Sequence, residues 1–237
     1  MKLIKNLWQE LRFIEELFYP RVCYACGKLL IKHEDILCTY CSLNLPKTNY
    51  HLWQQNPVLK LFDGRVEIYS AAVRYFYKKH GNVQSLLHNF KYKGYSDIGT
   101  KIGKDYGAEL MLSPDFASVD LIIPVPLHYK KERLRGFNQS ERFAFGLSQN
   151  MNAKLESRNL IRKVHTSTQT KKSRFERWEN VNSIFELKNP EKLEGKHILL
   201  VDDVITTGST IEACALIMAQ IPGIKISVAA IASPTGV

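Results

Sequence analysis

Two adjacent carboxylates, Asp202 and Asp203, stand just ahead of the hydroxyl-rich turn Thr206-Thr207-Gly208-Ser209-Thr210. The apolar run 198–201 before them reads as a buried strand. The positions after them, Ile211, Cys214, Ala215 and Met218, recur at helical spacing. A strand, a tight turn and a helix in that order leave free N–H groups and a positive dipole end at the turn, which suits an anion. Gly208 lets the backbone approach a ligand closely, and the hydroxyls of Thr206, Thr207, Ser209 and Thr210 add donors. A phosphate fits such a loop, and paired acids suit vicinal ribose hydroxyls. The ligand class these residues define is a phosphorylated ribose. The Walker A pattern, G-x-x-x-x-G-K-[ST], is absent.

A second cluster has different chemistry. Cys23, Cys26, Cys38 and Cys41 are spaced C-x₂-C-x₁₁-C-x₂-C. Each C-x-x-C knuckle can place two thiolates on one tetrahedral ion, and the connector is long enough to return the second pair. The expected occupant is a structural zinc ion closed by four sulfurs. A thioredoxin-like redox pair would need only one such knuckle. Cys214, on the apolar face of the predicted helix, reads as a buried thiol.

The string 200–210, Leu-Val-Asp-Asp-Val-Ile-Thr-Thr-Gly-Ser-Thr, resembles the PRPP-binding signature of type I phosphoribosyltransferases. Four further segments narrow the resemblance: Phe-Lys-Tyr-Lys-Gly at 90–94, Pro-Val-Pro-Leu-His at 124–128, Arg-Leu-Arg-Gly-Phe-Asn-Gln at 133–139, and the stretch 169–182. With the four cysteines in front, the chain resembles the ComF competence-associated family over nearly its whole length. The resemblance implies a type I phosphoribosyltransferase fold, PRPP as ligand with Mg²⁺ bridging its oxygens, and a part in handling incoming single-stranded DNA during natural transformation. It also matches Val125, Pro126 and Leu127 to the loop that holds the leaving diphosphate. Residues 169–180 match the loop that closes over the site, where a lid excludes water and supplies cations. Arg135, Arg174 and Arg177 are then the candidate catalytic cations, since guanidinium groups fit phosphate oxygens bidentately. Several purine-salvage relatives of this fold have an acid just before the Thr-Gly of the phosphate loop; here that place is Thr206.

The charge distribution adds a partner. The net charge is +10, and residues 128–180 contain thirteen Lys and Arg against five Asp and Glu. Positive charge focused on one aromatic-rich segment implies a polyanion, either diphosphate or nucleic acid. Lys91, Lys93, Lys171, Lys172 and Arg174 are the candidate contacts to single-stranded DNA, with neighbouring aromatics as stacking platforms.

The positioning elements follow from periodicity. An amphipathic helix is predicted over 2–18, closed by Pro20. Strands are predicted at 71–77, 120–125, 160–163, 181–187, 197–201 and 226–232, with helices near 81–91, 98–112 and 139–151 between them. Alternating strands and helices imply a parallel sheet with helices on both faces, and ligands at the strands' carboxyl ends. The expected architecture is an α/β type I phosphoribosyltransferase-like domain over 51–237, preceded by an amphipathic helix and zinc module over 1–50. No apolar run approaches the roughly 20 residues needed to span a bilayer, and charges interrupt the N-terminal helix, so the expected location is the cytoplasm. Proteins of the DNA-uptake machinery are the expected macromolecular partners.

Overall fold

The computed structural model describes residues 20–163 and 184–234. The helix expected over 2–18 and the charged stretch 169–180 lie outside these residues.

A five-stranded sheet in the order β1-β7-β6-β2-β3 forms the middle layer. Its strands are β1 (Ser70–Tyr77), β2 (Leu121–Pro124), β3 (Lys154–Leu155), β6 (His197–Val204) and β7 (Lys225–Pro234). All of its ladders are parallel. Two of the expected strands stand outside it: β4 (Leu160–Arg162) and β5 (Phe185–Leu187) form a separate antiparallel pair. A hydrophobic run announces a strand but not its partner, and these two short runs pair with each other instead of extending the sheet.

The core lies on both sides of the sheet, and strand alternation assigns the sides. Ala72, Leu199, Val201, Ala229 and Ile231 face one cluster; Ala71, Val73, Ile198, Leu200, Val228 and Ala230 face the other. A short helix from the four-cysteine module, α1 (Thr39–Asn44), reaches the first cluster through Cys41. That cluster is otherwise filled by α2 (Asn82–Tyr92), α3 (Asp97–Leu110) and α5 (Gln139–Ser148), through residues such as Leu86, Phe90, Tyr106 and Phe143. The second is covered by α6 (Ser209–Met218), through Ile211, Cys214 and Met218, and by Val58 and Phe62. Each fully buried large side chain of this kind contributes about 1.5–3 kcal/mol.

Helices α3 and α5 pack backbone to backbone. A Cβ on Gly146 would meet the Thr100 carbonyl, and one on Gly103 would meet Phe143 O, each well inside van der Waals contact. This close approach aims the N-terminus of α5 at the end of β6.

The four-cysteine module rests on the same core. Cys23, Cys38, Cys41 and Leu45 share the first cluster with Leu86 and Phe90, and Asn89 Nδ2 donates to Tyr24 O at 2.8 Å. The chain leaving the module then runs along the free edge of β1: Lys47 bridges Tyr75, and Phe76 N donates to Pro46 O at 2.8 Å. Covering an edge in this way removes a template for unwanted strand pairing.

Candidate functional site

Asp202 and Asp203 occupy the last rungs of β6, which runs on to Val204 beyond the apolar stretch visible in the sequence. Asp202 Oδ1 accepts hydrogen bonds from Ser140 Oγ at 2.9 Å and from Asp203 N at 2.8 Å. Lys91 Nζ lies 3.0 Å from Asp203 Oδ2. Burial, and then the neighbouring charge of Asp203, push the Asp202 carboxyl up to about 7 against these donors.

The turn after the acids is open to solvent except at Gly208. Thr206, Thr207, Ser209 and Thr210 are exposed, and Gly208 takes φ 75° directly before α6. A Cβ there would press on the Phe62 ring at 2.9 Å, so space as well as conformation demands glycine. The N-cap residue Gly208 makes no side-chain cap to α6. Thr207 Oγ1 accepts a long bond from Ser209 N at 3.5 Å, and Arg65 Nη1 holds the turn from behind by donating to Thr207 O at 3.1 Å. Arg65 is itself paired with Glu212. The turn thus presents N–H groups and hydroxyls outward, as an anion site requires.

A second loop lies alongside. Val125 N donates to Val201 O at 2.8 Å, which places residues 125–127 beside the acids at the sheet's carboxyl edge. Asn138 explains much of the segment 133–139. Its Nδ2 donates to Val125 O at 3.0 Å, while its Oδ1 accepts from Ser140 N at 3.0 Å. Gly136, at φ 80°, ends α4 (Tyr129–Arg135), and Phe137 packs on Phe90 at 5.6 Å between ring centres. Arg135 lies over the Tyr92 ring and donates to Gln139 Oε1 at 2.7 Å.

Several of the residues selected from sequence therefore converge here: the two acids, the loop 206–210, residues 125–127, Arg135 and Lys91. Lys91, expected to contact nucleic acid, is engaged by an acid of the site. Lys93 is exposed and instead lines a groove of about 680 Å³ between the first knuckle and α2, with Tyr24, His80, His88 and Tyr95. Arg174, Arg177, Lys171 and Lys172 lie outside the described residues. Sequence reasoning missed Ser140 as a partner of Asp202; its place at the second position of a capped helix was the available signal. Helix α4 was missed too, because it buries no residue and so shows no apolar stripe.

The four cysteine sulfurs all lie within 4.8 Å of one another, and Cys26 Sγ is 3.7 Å from Cys38 Sγ. A tetrahedron with Zn–S bonds of about 2.3 Å has edges of about 3.8 Å, so the set fits a zinc ion. Three of the four are buried. The loop between the knuckles is shaped by Glu34, whose carboxylate accepts from Ile31 N at 3.0 Å and from both N and Oγ1 of Thr39. Among the described residues no helix is long and apolar enough to cross a membrane.

A parallel sheet with paired acids and an open glycine turn at its carboxyl edge defines a phosphoribosyltransferase-type fold. The phosphoribosyl transferase domain family matches residues 140–234, from Ser140 through the last strand. The chain is 32% identical over 211 residues to the DNA utilization protein YhgH of Escherichia coli O157:H7, with 83% of each chain covered. It is 27% identical over 200 residues to competence protein ComFC of Bacillus subtilis (strain 168), covering 82% of this chain and 76% of that one. The solved allosteric regulatory enzyme of purine biosynthesis aligns at 18% identity and TM-score 0.41, over 60% of this chain and 29% of that one. The chain belongs to the ComF-type family.

Proposed function

We propose that this chain binds PRPP at the carboxyl edge of its sheet and acts in DNA utilization or competence by handling single-stranded DNA. The observation that carries the ligand is the juxtaposition of Asp202 and Asp203 with the open turn 206–210, tied to residues 125–127 through Asn138 and Ser140. The acids accept hydrogen bonds from the ribose 2- and 3-hydroxyls, and the turn takes the 5-phosphate. Residues 125–127, with Arg135 behind them, receive the diphosphate. Mg²⁺ bound with the ligand would neutralise diphosphate charge. The names of the relatives supply the DNA connection, and the basic excess of 128–180 supports it. The groove beside Lys93, with Tyr24 and Tyr95, offers aromatic and cationic surface of the kind single strands use. A cytoplasmic location and contacts with the DNA-uptake machinery belong to this reading.

The second reading is an active phosphoribosyltransferase that releases diphosphate from PRPP and transfers the ribosyl group to an acceptor. The same site supports it, while exposed Thr206 supplies no carboxylate to act as base toward an incoming nucleobase.

Titration of the purified chain with Mg–PRPP, and separately with short single-stranded DNA over a salt series, tests the proposal. PRPP should saturate one site, and DNA affinity should fall steeply with salt. Replacing Lys171, Lys172 and Arg174 together with Ala should reduce that slope for all DNA sequences alike. If the triple change lowers PRPP turnover and leaves weak DNA binding unchanged, the enzymatic reading replaces the DNA-handling one.

A further inference from the structure

The two acids of the site are supported in different ways. Among the described residues, the donors to Asp202 are neutral: Ser140 and the Asp203 backbone. Asp203 faces a cation: Lys91 Nζ lies 3.0 Å from Oδ2 and 3.1 Å from Oδ1, so one ammonium spans both carboxylate oxygens. The side chains of Lys91 and Asp203 are 21% and 15% exposed, which limits screening by salt.

The element that delivers Lys91 is anchored along its buried face and near its C-terminal end. Val83, Leu86, Leu87 and Phe90 anchor α2 in the core. Asn89 ties it to the first knuckle, and Tyr92 lies under the Arg135 guanidinium. The ammonium therefore arrives on a rigid helix, not on a freely moving surface arm.

We propose that Lys91 is a positioning residue of the ribose site, fixing the Asp203 carboxylate so that its remaining lone pairs accept from the ribose diol. Its role is then recognition of the sugar and not contact with phosphate or nucleic acid. The inference rests on the PRPP reading above. A side chain held by a bidentate cation keeps its orientation without ligand, and that preorganisation raises affinity by removing an ordering cost.

Calorimetric titration of the full-length chain with Mg–PRPP and with inorganic pyrophosphate tests this on wild type, Lys91→Met and Lys91→Arg. Lys91→Met should weaken PRPP binding roughly tenfold, the scale of one charge-assisted hydrogen bond. Pyrophosphate, which has no diol, should change by less than about twofold, and Lys91→Arg should recover most of the PRPP affinity. Lys91→Met binding PRPP as well as or better than wild type overturns the inference, since Lys91 would then be a plug on the acid. An equal loss for both ligands, or a loss that Lys91→Arg fails to recover, also overturns it. Wild-type protein that fails to bind PRPP brings down the ligand reading itself, and this inference with it.

Discussion

The side-chain amide of Asn138 donates to Val125 O while its carbonyl accepts from Ser140 N, so one buried residue ties the loop 125–127 to the N-terminus of α5. Ser140 in turn holds Asp202. Asn138→Ala removes both bonds and leaves the Val125 carbonyl unpaired in a buried setting. The expected loss is about 1–3 kcal/mol of stability, read from the urea midpoint at constant slope. PRPP affinity should fall as well, because residues 125–127 and Asp202 lose their common tether. A variant with parental stability and affinity would show that the tether is dispensable.

The position of Asp202 makes stability depend on pH. Its folded carboxyl is raised from the ordinary 3.8 to about 7, first by burial and then by Asp203. The folded chain therefore holds a proton that the unfolded chain releases. The stabilisation from this group is full below about 4 and is lost as pH rises through about 7. Asp202→Asn cannot titrate, so its stability relative to wild type should increase between pH 4 and pH 8. Denaturant midpoints of both proteins across that range check the sign. Near pH 8, where Asp202 is ionised, the same variant should lose PRPP affinity, by about 1–3 kcal/mol for the missing charge-assisted bond.

Much of the site was legible because its residues are adjacent in sequence. The acids, the glycine turn and the strand and helix flanking them occupy one short stretch, and local periodicity identifies each piece. The cysteine spacing was legible for the same reason. What periodicity could not supply was contact across distance. Lys91 and Asp203 are 112 residues apart, and nothing in either neighbourhood marks them as partners. The same limit applies to the metal module. The division into a module over 1–50 and a domain over 51–237 gives no sign that Cys23, Cys38 and Cys41 share a core cluster with Leu86 and Phe90 of α2, or that the linker pairs with β1.

That shared core sets the expected consequence of removing the metal. Elemental analysis should find one zinc per chain, and Cys38→Ser or a strong chelator should release it. Because Cys23, Cys38 and Cys41 belong to the cluster that holds Leu86 and Phe90, loss of the ion should lower the melting temperature of the whole chain. An isolated loosening of residues 20–45, with the main transition unmoved, would show that packing against α2 carries little energy.

Helix α4 follows directly on the loop 125–128. It buries no residue, and Leu134 is 81% exposed, so packing against the domain does not explain why it is there. Its Lys130, Lys131 and Arg133 are exposed and follow directly on the loop 125–128. Substitution of these three by Ala should shift the melting temperature by no more than about 3–6 °C, since surface changes of this kind rarely exceed about 0.5 kcal/mol each. If the helix guides single-stranded DNA past the ribose site, the same triple variant should bind DNA more weakly at low salt. Its slope of log affinity against log salt should drop by about 0.7 for each phosphate that the variant no longer neutralises. PRPP affinity should hold, because none of the three side chains touches the acids or the turn. A slope identical to wild type would remove α4 from the DNA path and leave the groove beside Lys93 as the surface to test.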